Sequence, residues 1–464
     1  MSQNETAVRT QRRRSHLEHL AGGIRGRVLR PEDAGYDDAR TLFYSWIDRK
    51  PAIIIKAADE TDIARVIAYA REQGIQLAVR GGGHSLAGHS MSEGGIVLDV
   101  SDMRGMEIDA ATRTAWAGAG MTAGQYTTAA AAHGLATGFG DTGSVGIAGI
   151  TLGGGVGFLV RKYGMTIDEL LAAEIVTADG NLLRTDETNH PDLFWAIRGG
   201  GGNFGVATRF KFRLREVDRI LGGILILPAT PDILRTFLDE AEAAPEELSA
   251  IVNVMSAPPM PFIPQEHHGK IIVMAMMVYA GGIEEGERVL TPFRKLAKPI
   301  ADMLRPMKYP EMYQGEGQHP VAAAVRSMFI DAVDRGVAES ILEHLQSSTA
   351  SMAVSQIRVL GGAMARVPAD ATAFAHRGRR MMVNVAALYQ RREESATHEA
   401  WVARFTAALQ GNDRSVYVNF LGDEGSARVR DAYPGATWDR LCAVKRRYDP
   451  ANFFRNNQNI SPSE

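Results

Sequence analysis

The spacing of apolar residues changes several times along the chain, and each change marks an element. Ile53, Ile54 and Ile55 form a short unbroken apolar run between Pro51 and Lys56, which predicts a buried strand. Thr61 predicts the N-cap of a helix running through Ile63, Val66, Ile67 and Tyr69 to Arg71, closed by Gly74. Residues 75–80 predict a second strand that runs straight into Gly81-Gly82-Gly83-His84-Ser85. Residues 96–100 and 112–119 predict further strands, and 122–133 an alanine-rich helix stopped by Gly134.

Residues 170–177 and 182–185, joined by Ala178-Asp179-Gly180, predict a hairpin, because Asp-Gly suits a tight reversal. Residues 191–197 predict a short helix before a glycine tract at 199–202. Phe210, Phe212 and Leu214 then alternate with Arg209, Lys211 and Arg213, the pattern of a half-buried strand with a basic outer face. The texture changes near residue 216. Strand-like runs at 223–227, 251–255, 271–279, 355–360 and 381–388 alternate with helix-like runs at 231–243, 283–296, 338–347 and 394–409. Strands separated by long connections predict an α+β unit. A last strand is expected over 415–421 and a last helix over 438–447.

Composition narrows the class. With 464 residues, 45% hydrophobic and 23% charged, the chain reads as a folded protein of two or three cores. Its 51 basic and 54 acidic residues give a net charge of −3, which supplies no drive toward nucleic acid or an anionic membrane. The single cysteine, Cys442, allows no internal disulfide and no multi-cysteine metal site, and it reads as a half-buried helix residue. No apolar run is long enough to span a bilayer. The Arg12-Arg13-Arg14 cluster leads into polar residues and not into the apolar core of a signal peptide, so a cytoplasmic setting is expected.

Glycine is the exception, with 48 residues gathered into tracts at 80–83, 138–157 and 199–205. Each tract alone could be a turn. Brought together, they would let main-chain N–H groups approach a long anionic ligand without Cβ obstruction. Gly138-Phe139-Gly140-Asp141-Thr142-Gly143 matches GxGxxG in form, but a helix and not a strand is expected before it, which argues against a Rossmann site. No P-loop motif occurs. His84 closes a glycine loop. His89 has no special context, and the His84/His89 spacing suits no metal pair.

Val79-Arg80-Gly81-Gly82-Gly83-His84-Ser85 resembles the flavin-attachment loop of the berberine bridge enzyme-like oxidases, within the vanillyl-alcohol oxidase flavoproteins. Val145-Gly146-Ile147-Ala148-Gly149 through Gly157 is similar to that family's second glycine tract. Asp192 to Gly205, Gly361-Gly362-Ala363, Tyr417-Val418-Asn419 and the tail from Tyr448-Asp449-Pro450 to Ile460 continue the resemblance over nearly the whole chain.

The resemblance implies a PCMH-type FAD-binding domain of two α/β subdomains, with its N-terminal part at 1–215 and a C-terminal tail at 411–464 returning to it. Between them, at 216–410, it implies a substrate domain with an antiparallel sheet backed by helices. It implies FAD as cofactor, held by Arg80, Gly81, Gly82, Gly83, His84, Ser85, Thr142, Val145, Gly146, Gly149, Gly153, Gly155, Asn457 and Gln458. Many members attach the flavin through a histidine and a cysteine. The cysteine position is Thr142 here, so a single covalent link, to His84, is expected. A family histidine before the glycine triplet is Ile150, and its role is not carried over.

The implied reaction is hydride transfer from an alcohol of a small-molecule substrate to the flavin, with O2 as acceptor and hydrogen peroxide as product. Tyr417 is the candidate base, with Asn419 beside it on the same strand face. Tyr417 could instead serve strand packing. Tyr279, Gln356, Arg358, Asn384 and Tyr389 are candidates for the substrate wall, and Met274, Met276 and Met277 are expected in the sheet core. A valine at 145 is associated with oxidases of the family and a leucine with dehydrogenases. A flavin dehydrogenase and a non-catalytic FAD-binding protein remain the alternatives. Neither the substrate nor the oligomeric state is legible.

Overall fold

The computed structural model describes residues 18, 20–44, 46–313 and 322–463. The Arg12–Arg14 cluster lies outside them. Three sheets position the site.

The first sheet runs in the order Arg27–Leu29, Ile53–Lys56, Ile96–Asp99, Leu77–Arg80. Its last three strands are parallel. Ile53, Ile54 and Ile55 are fully buried, as expected of a strand covered on both faces. The crossover helix Glu60–Glu72 is capped by Asp59 and not by Thr61, because the Asp59 carboxylate accepts from the amides of Thr61 and Asp62 at 2.9 and 3.0 Å. A carboxylate at the N-cap also suits the helix dipole.

The second sheet is antiparallel, in the order Met106–Asp109, Thr114–Gly118, Val206–Arg213, Leu170–Val176, Leu182–Asp186. Phe210 and Phe212 point into the core, and Arg209 on the outer face pairs with Glu174 through two bonds of 2.7 and 2.8 Å. Thr122 and Gln125 form a capping box on the helix Ala123–Ala131.

The third sheet is larger. Its strands run Ala301–Asp302, Ile220–Pro228, Ile271–Tyr279, Leu248–Ser256, Met352–Val359, Met381–Tyr389, Ala322–Ile330, all antiparallel, with Arg305–Met307 also pairing on Ile220–Pro228. Helices Pro231–Ala243, Ile283–Lys295, Arg335–Gln346 and Ser395–Gln410 bury Phe237, Phe293, Ile341 and Phe405 against one face. The strand Ala322–Ile330 had no signal in the sequence pattern. It nevertheless pairs residue for residue with Met381–Tyr389.

The segment after residue 411 shares its core with the N-terminal sheets: Val416, Leu441, Phe454 and Ile460 pack in the same cluster as Ile55, Val66 and Phe210. The strand expected over 415–421 is instead extended backbone entering a 3-10 turn, Val418–Phe420. Cys442, on the helix Ala436–Tyr448, is fully buried at 1% exposure rather than half-buried. Among the described residues, no helix is long and apolar enough to cross a membrane, and no group of His, Cys, Asp or Glu is arranged to hold a metal.

Candidate cofactor and active site

The glycine tracts converge. A Cβ on Gly82 would lie 2.2 Å from the Gly146 nitrogen, and one on Gly146 would lie 2.4 Å from the Gly82 nitrogen. The loop after Leu77–Arg80 and the tract at 138–157 therefore meet backbone to backbone, a contact only glycine permits on both sides. The third tract joins through the tail. Asn203 donates to the carbonyls of Gly200 and Gln458 at 2.9 and 3.0 Å and accepts from the Ile460 amide at 2.9 Å. Behind this join, the Lys445 ammonium donates to Asp449 at 2.7 Å and to the carbonyls of Asn203 and Phe454 at 2.8 and 2.9 Å. Lys445 and Asp449 are wholly buried, so each charge is compensated where removal of one partner would strand the other.

These loops enclose a cavity of about 350 Å³. Gly81, Gly82, Gly83, His84, Ser85, Thr142, Val145, Gly146, Gly149, Asn457, Gln458, Tyr417 and Asn419 all line it. The lining suits a cofactor held by backbone amides and small residues. A Cβ on Gly149 or Gly202 would meet no protein atom within 4 Å, so both glycines hold open space along the wall. The buried Oδ1 of Asn457 has no partner, leaving an acceptor for an added group. The Cβ-free walls supply backbone amides of the kind that bind phosphates.

Three of the expected cofactor residues do not reach the cavity. The Arg80 guanidinium turns back, donating to the carbonyls of Ala39 and of Thr41, the latter at 2.8 Å, and facing Asp99 at 3.8 Å. Gly153 and Gly155 face the protein: a Cβ at Gly153 would lie 1.9 Å from Asn419 Oδ1, and one at Gly155 would lie 2.0 Å from Thr166 Oγ1. Their smallness admits neighbouring side chains and not the ligand.

His84 faces the cavity with its ring stacked on Phe43, centroids 4.1 Å apart at 24°. Burial pushes its pKa down to about 4, against a hydrogen bond with the Ser144 backbone that favours the cation. The imidazole is therefore neutral near pH 7, with a nitrogen lone pair available. His89 lines the same cavity, a placement that no local motif around it reveals.

Tyr417 and Asn419 come together as expected, but by a different route. The 3-10 turn brings Asn419 Nδ2 to Tyr417 Oη at 2.8 Å, where a pleated strand would have held the two side chains apart. Asn419 also donates to the Ile150 carbonyl at 3.1 Å. The phenol oxygen accepts a second bond from the Gly155 amide at 2.7 Å. With two donors on the oxygen, the phenol's own proton is left for the cavity. Burial pushes the Tyr417 pKa up to about 12, opposed by the Gly155 and Asn419 hydrogen bonds and by the Arg358 charge. Tyr417 thus stands protonated at neutral pH, and its deprotonated form has three stabilising neighbours.

Strand alternation divides the expected wall residues. Tyr279 and Tyr389 belong to the core under the helices, Tyr389 stacking on His398 at 4.7 Å, so neither faces the site. Met277 shares that core, as expected, whereas Met276 packs with Phe158 on the opposite face. Gln356, Arg358 and Asn384 alternate with that core and sit on the same face as Met382, which packs with Tyr417. Gln356 donates to Asn253 at 2.9 Å, and Arg358 pairs with Asp141 at 2.6 Å while lying over Phe420 at 4.8 Å. Asp141 lines the cavity next to Thr142. It had no sequence signal beyond its place in the glycine tract, because its partner lies 217 positions away.

The chain matches two family descriptions, an FAD binding domain over residues 51–186 and "berberine and berberine like" over 416–461. It is 30% identical to (R)-6-hydroxynicotine oxidase of Paenarthrobacter nicotinovorans over 95% of this chain and 97% of that protein. It superposes on 6-hydroxy-D-nicotine oxidase from Arthrobacter nicotinovorans with a TM-score of 0.85 at 28% identity, covering 95% of this chain and 98% of that one. The xylooligosaccharide oxidase from Myceliophthora thermophila shares the fold, with a TM-score of 0.84 at 22% identity and coverage of 97% and 100%.

Proposed function

The chain belongs to the berberine bridge enzyme-like family of FAD-linked oxidoreductases, and from that premise we propose that it is an oxidase taking a hydride from an alcohol carbon of a small molecule. The observation that carries this reading is the Tyr417 phenol on the cavity wall, its oxygen held by the Gly155 amide and Asn419. An alcohol losing hydride must also lose its hydroxyl proton, and the Tyr417 oxygen lowers that barrier in its deprotonated form, the form that Gly155, Asn419 and Arg358 favour against burial. FAD bound here supplies the hydride acceptor.

Asn419 and the Gly155 amide fix the phenol and stabilise its anion, and the Arg358 charge acts in the same direction. The glycine walls and the Asn457 acceptor would hold the cofactor, with His84 as its single covalent anchor and Thr142 where a second anchor would stand. Val145 lines the cavity, and its short side chain favours access of dioxygen to the reduced cofactor, with release of hydrogen peroxide.

A second reading replaces the alcohol by an amine C–H. It is favoured by the relative named for hydroxynicotine and by the high Tyr417 pKa, since an amine substrate needs no alkoxide. An anaerobic screen of alcohols, sugars and cyclic amines, following flavin bleaching, separates the two. Admitting air to the reduced protein and assaying peroxide separates an oxidase from a dehydrogenase. Failure of every donor leaves a non-catalytic flavoprotein.

A further inference from the structure

The matched FAD-binding segment begins at residue 51, yet chain before it reaches the cavity. Phe43 and Tyr44 are part of the lining. Phe43 lies against the His84 imidazole at 4.1 Å, and its amide donates to the Gly83 carbonyl at 3.2 Å. Arg49 reaches the loop beyond His84. It donates to the carbonyls of Gly88, Met91 and Ala87 at 2.8, 3.0 and 3.1 Å. Gly88 lets the same segment pack closely: its φ is +70°, and a Cβ there would lie 2.7 Å from the Ile47 side chain. The grip is returned by Arg80, which donates to the carbonyls of Ala39 and Thr41. Two guanidinium forks, one on each segment, thus hold the other segment's carbonyls.

We propose that Phe43 is a positioning residue for His84, with Arg49 fixing the loop on which His84 stands. The proposal rests on the covalent reading above. Attachment replaces one C–H of the flavin's methyl group and the imidazole N–H by a C–N bond. The two hydrogens released pass with their electrons to dioxygen as hydrogen peroxide. The bond forms only if a ring nitrogen points at that carbon, and a stacked partner fixes the plane of the imidazole, leaving little rotation to lose. Residue 43 makes this contact through an aromatic face, so tyrosine can replace phenylalanine and alanine cannot.

The test adds FAD to flavin-free wild type, Phe43→Ala and Phe43→Tyr and follows the flavin that stays with acid-precipitated protein. FAD affinity is measured separately in the His84→Ala background, with and without Phe43→Ala, where no attachment can interfere. At FAD concentrations that saturate each protein, attachment at least tenfold slower in Phe43→Ala and near wild type in Phe43→Tyr is expected, with any change in FAD affinity across the His84→Ala pair smaller than the change in attachment rate. Wild-type attachment in Phe43→Ala overturns the proposal. So does a parallel loss of FAD affinity, which would make Phe43 part of the cradle and not an aligner. Wild type holding FAD with no acid-stable flavin overturns the attachment reading itself and the proposal with it.

Discussion

Gly155 donates its backbone N–H to the phenol oxygen of Tyr417, 262 positions further along the chain, at 2.7 Å. The contact joins the second glycine tract to the tail and places on the cavity wall a buried phenol whose oxygen carries two protein donors. If this phenol takes the substrate proton, Tyr417→Phe slows anaerobic flavin bleaching by about 10²–10⁴-fold, the usual size of a general-base contribution, with little change in substrate binding. The wild-type rate should also climb with pH through the alkaline range, because the base form appears only as pH approaches a pKa raised to about 12. Stopped-flow bleaching between pH 7 and the limit of stability measures both, and a flat profile assigns Tyr417 to packing.

Gly153→Ala should imitate that loss without touching the phenol. Its Cβ would lie 1.9 Å from Asn419 Oδ1, so Asn419 must move and its bond to Tyr417 is lost. Bleaching at least tenfold slower with bound flavin retained is expected. An unchanged rate would show that Asn419 contributes nothing to the step.

His84→Ala should yield protein that binds FAD yet leaves a colourless pellet on acid precipitation, whereas wild type leaves a yellow one. Peptide mass mapping of wild type should find flavin on the His84 peptide and none on that of the buried Cys442.

Val145→Leu should slow reoxidation of the reduced protein in air at least tenfold, about 1.4 kcal/mol of barrier, and leave substrate reduction nearly unchanged. One added methylene on a cavity-lining side chain is enough to close a space the size of a diatomic molecule. Mixing reduced protein with oxygenated buffer reads this directly, and reoxidation of wild type no faster than free flavin removes the oxidase reading.

Acid should destabilise the flavin-free protein from mild pH downward. His84, His89 and His376 each have a pKa pushed down by burial to about 4. The unfolded chain takes up these protons near pH 6.5 and the folded chain only near 4, so stability is full above 6.5 and falls as pH drops toward 4. Thermal melts across this window should show a falling Tm, and His376→Gln should flatten the slope.

The glycine tracts were legible as a local pattern with a local physical reason, whereas His84 and the Tyr417–Asn419 pair stand out only through the family resemblance. What was not legible came from tertiary partners. Arg80 sits in the attachment motif, yet its guanidinium is claimed by carbonyls at Ala39 and Thr41, which no local pattern reveals. Gly153 and Gly155 belong to a ligand-like glycine run but make room for Asn419 and Thr166. The strand Ala322–Ile330 begins with alanines, poor strand formers, and is held by full pairing with its neighbour. Tyr279 and Tyr389 lie on strands of the large sheet, but only the sheet's register shows that they face the helices.

The bond from Asn203 to the Gln458 carbonyl spans 255 positions, and both residues line the cavity. Contacts of such long separation are the slow ones in folding. A cavity whose walls are joined by such a contact should form late in folding, and neither half of the chain made alone should take up flavin. Colour becomes a readout of completion. In a preparation with mixed flavin content, the yellow fraction counts molecules whose tail has docked, and a substitution that leaves the sheets intact but loosens Lys445 or Asp449 should bleach the preparation before it lowers the yield of soluble protein.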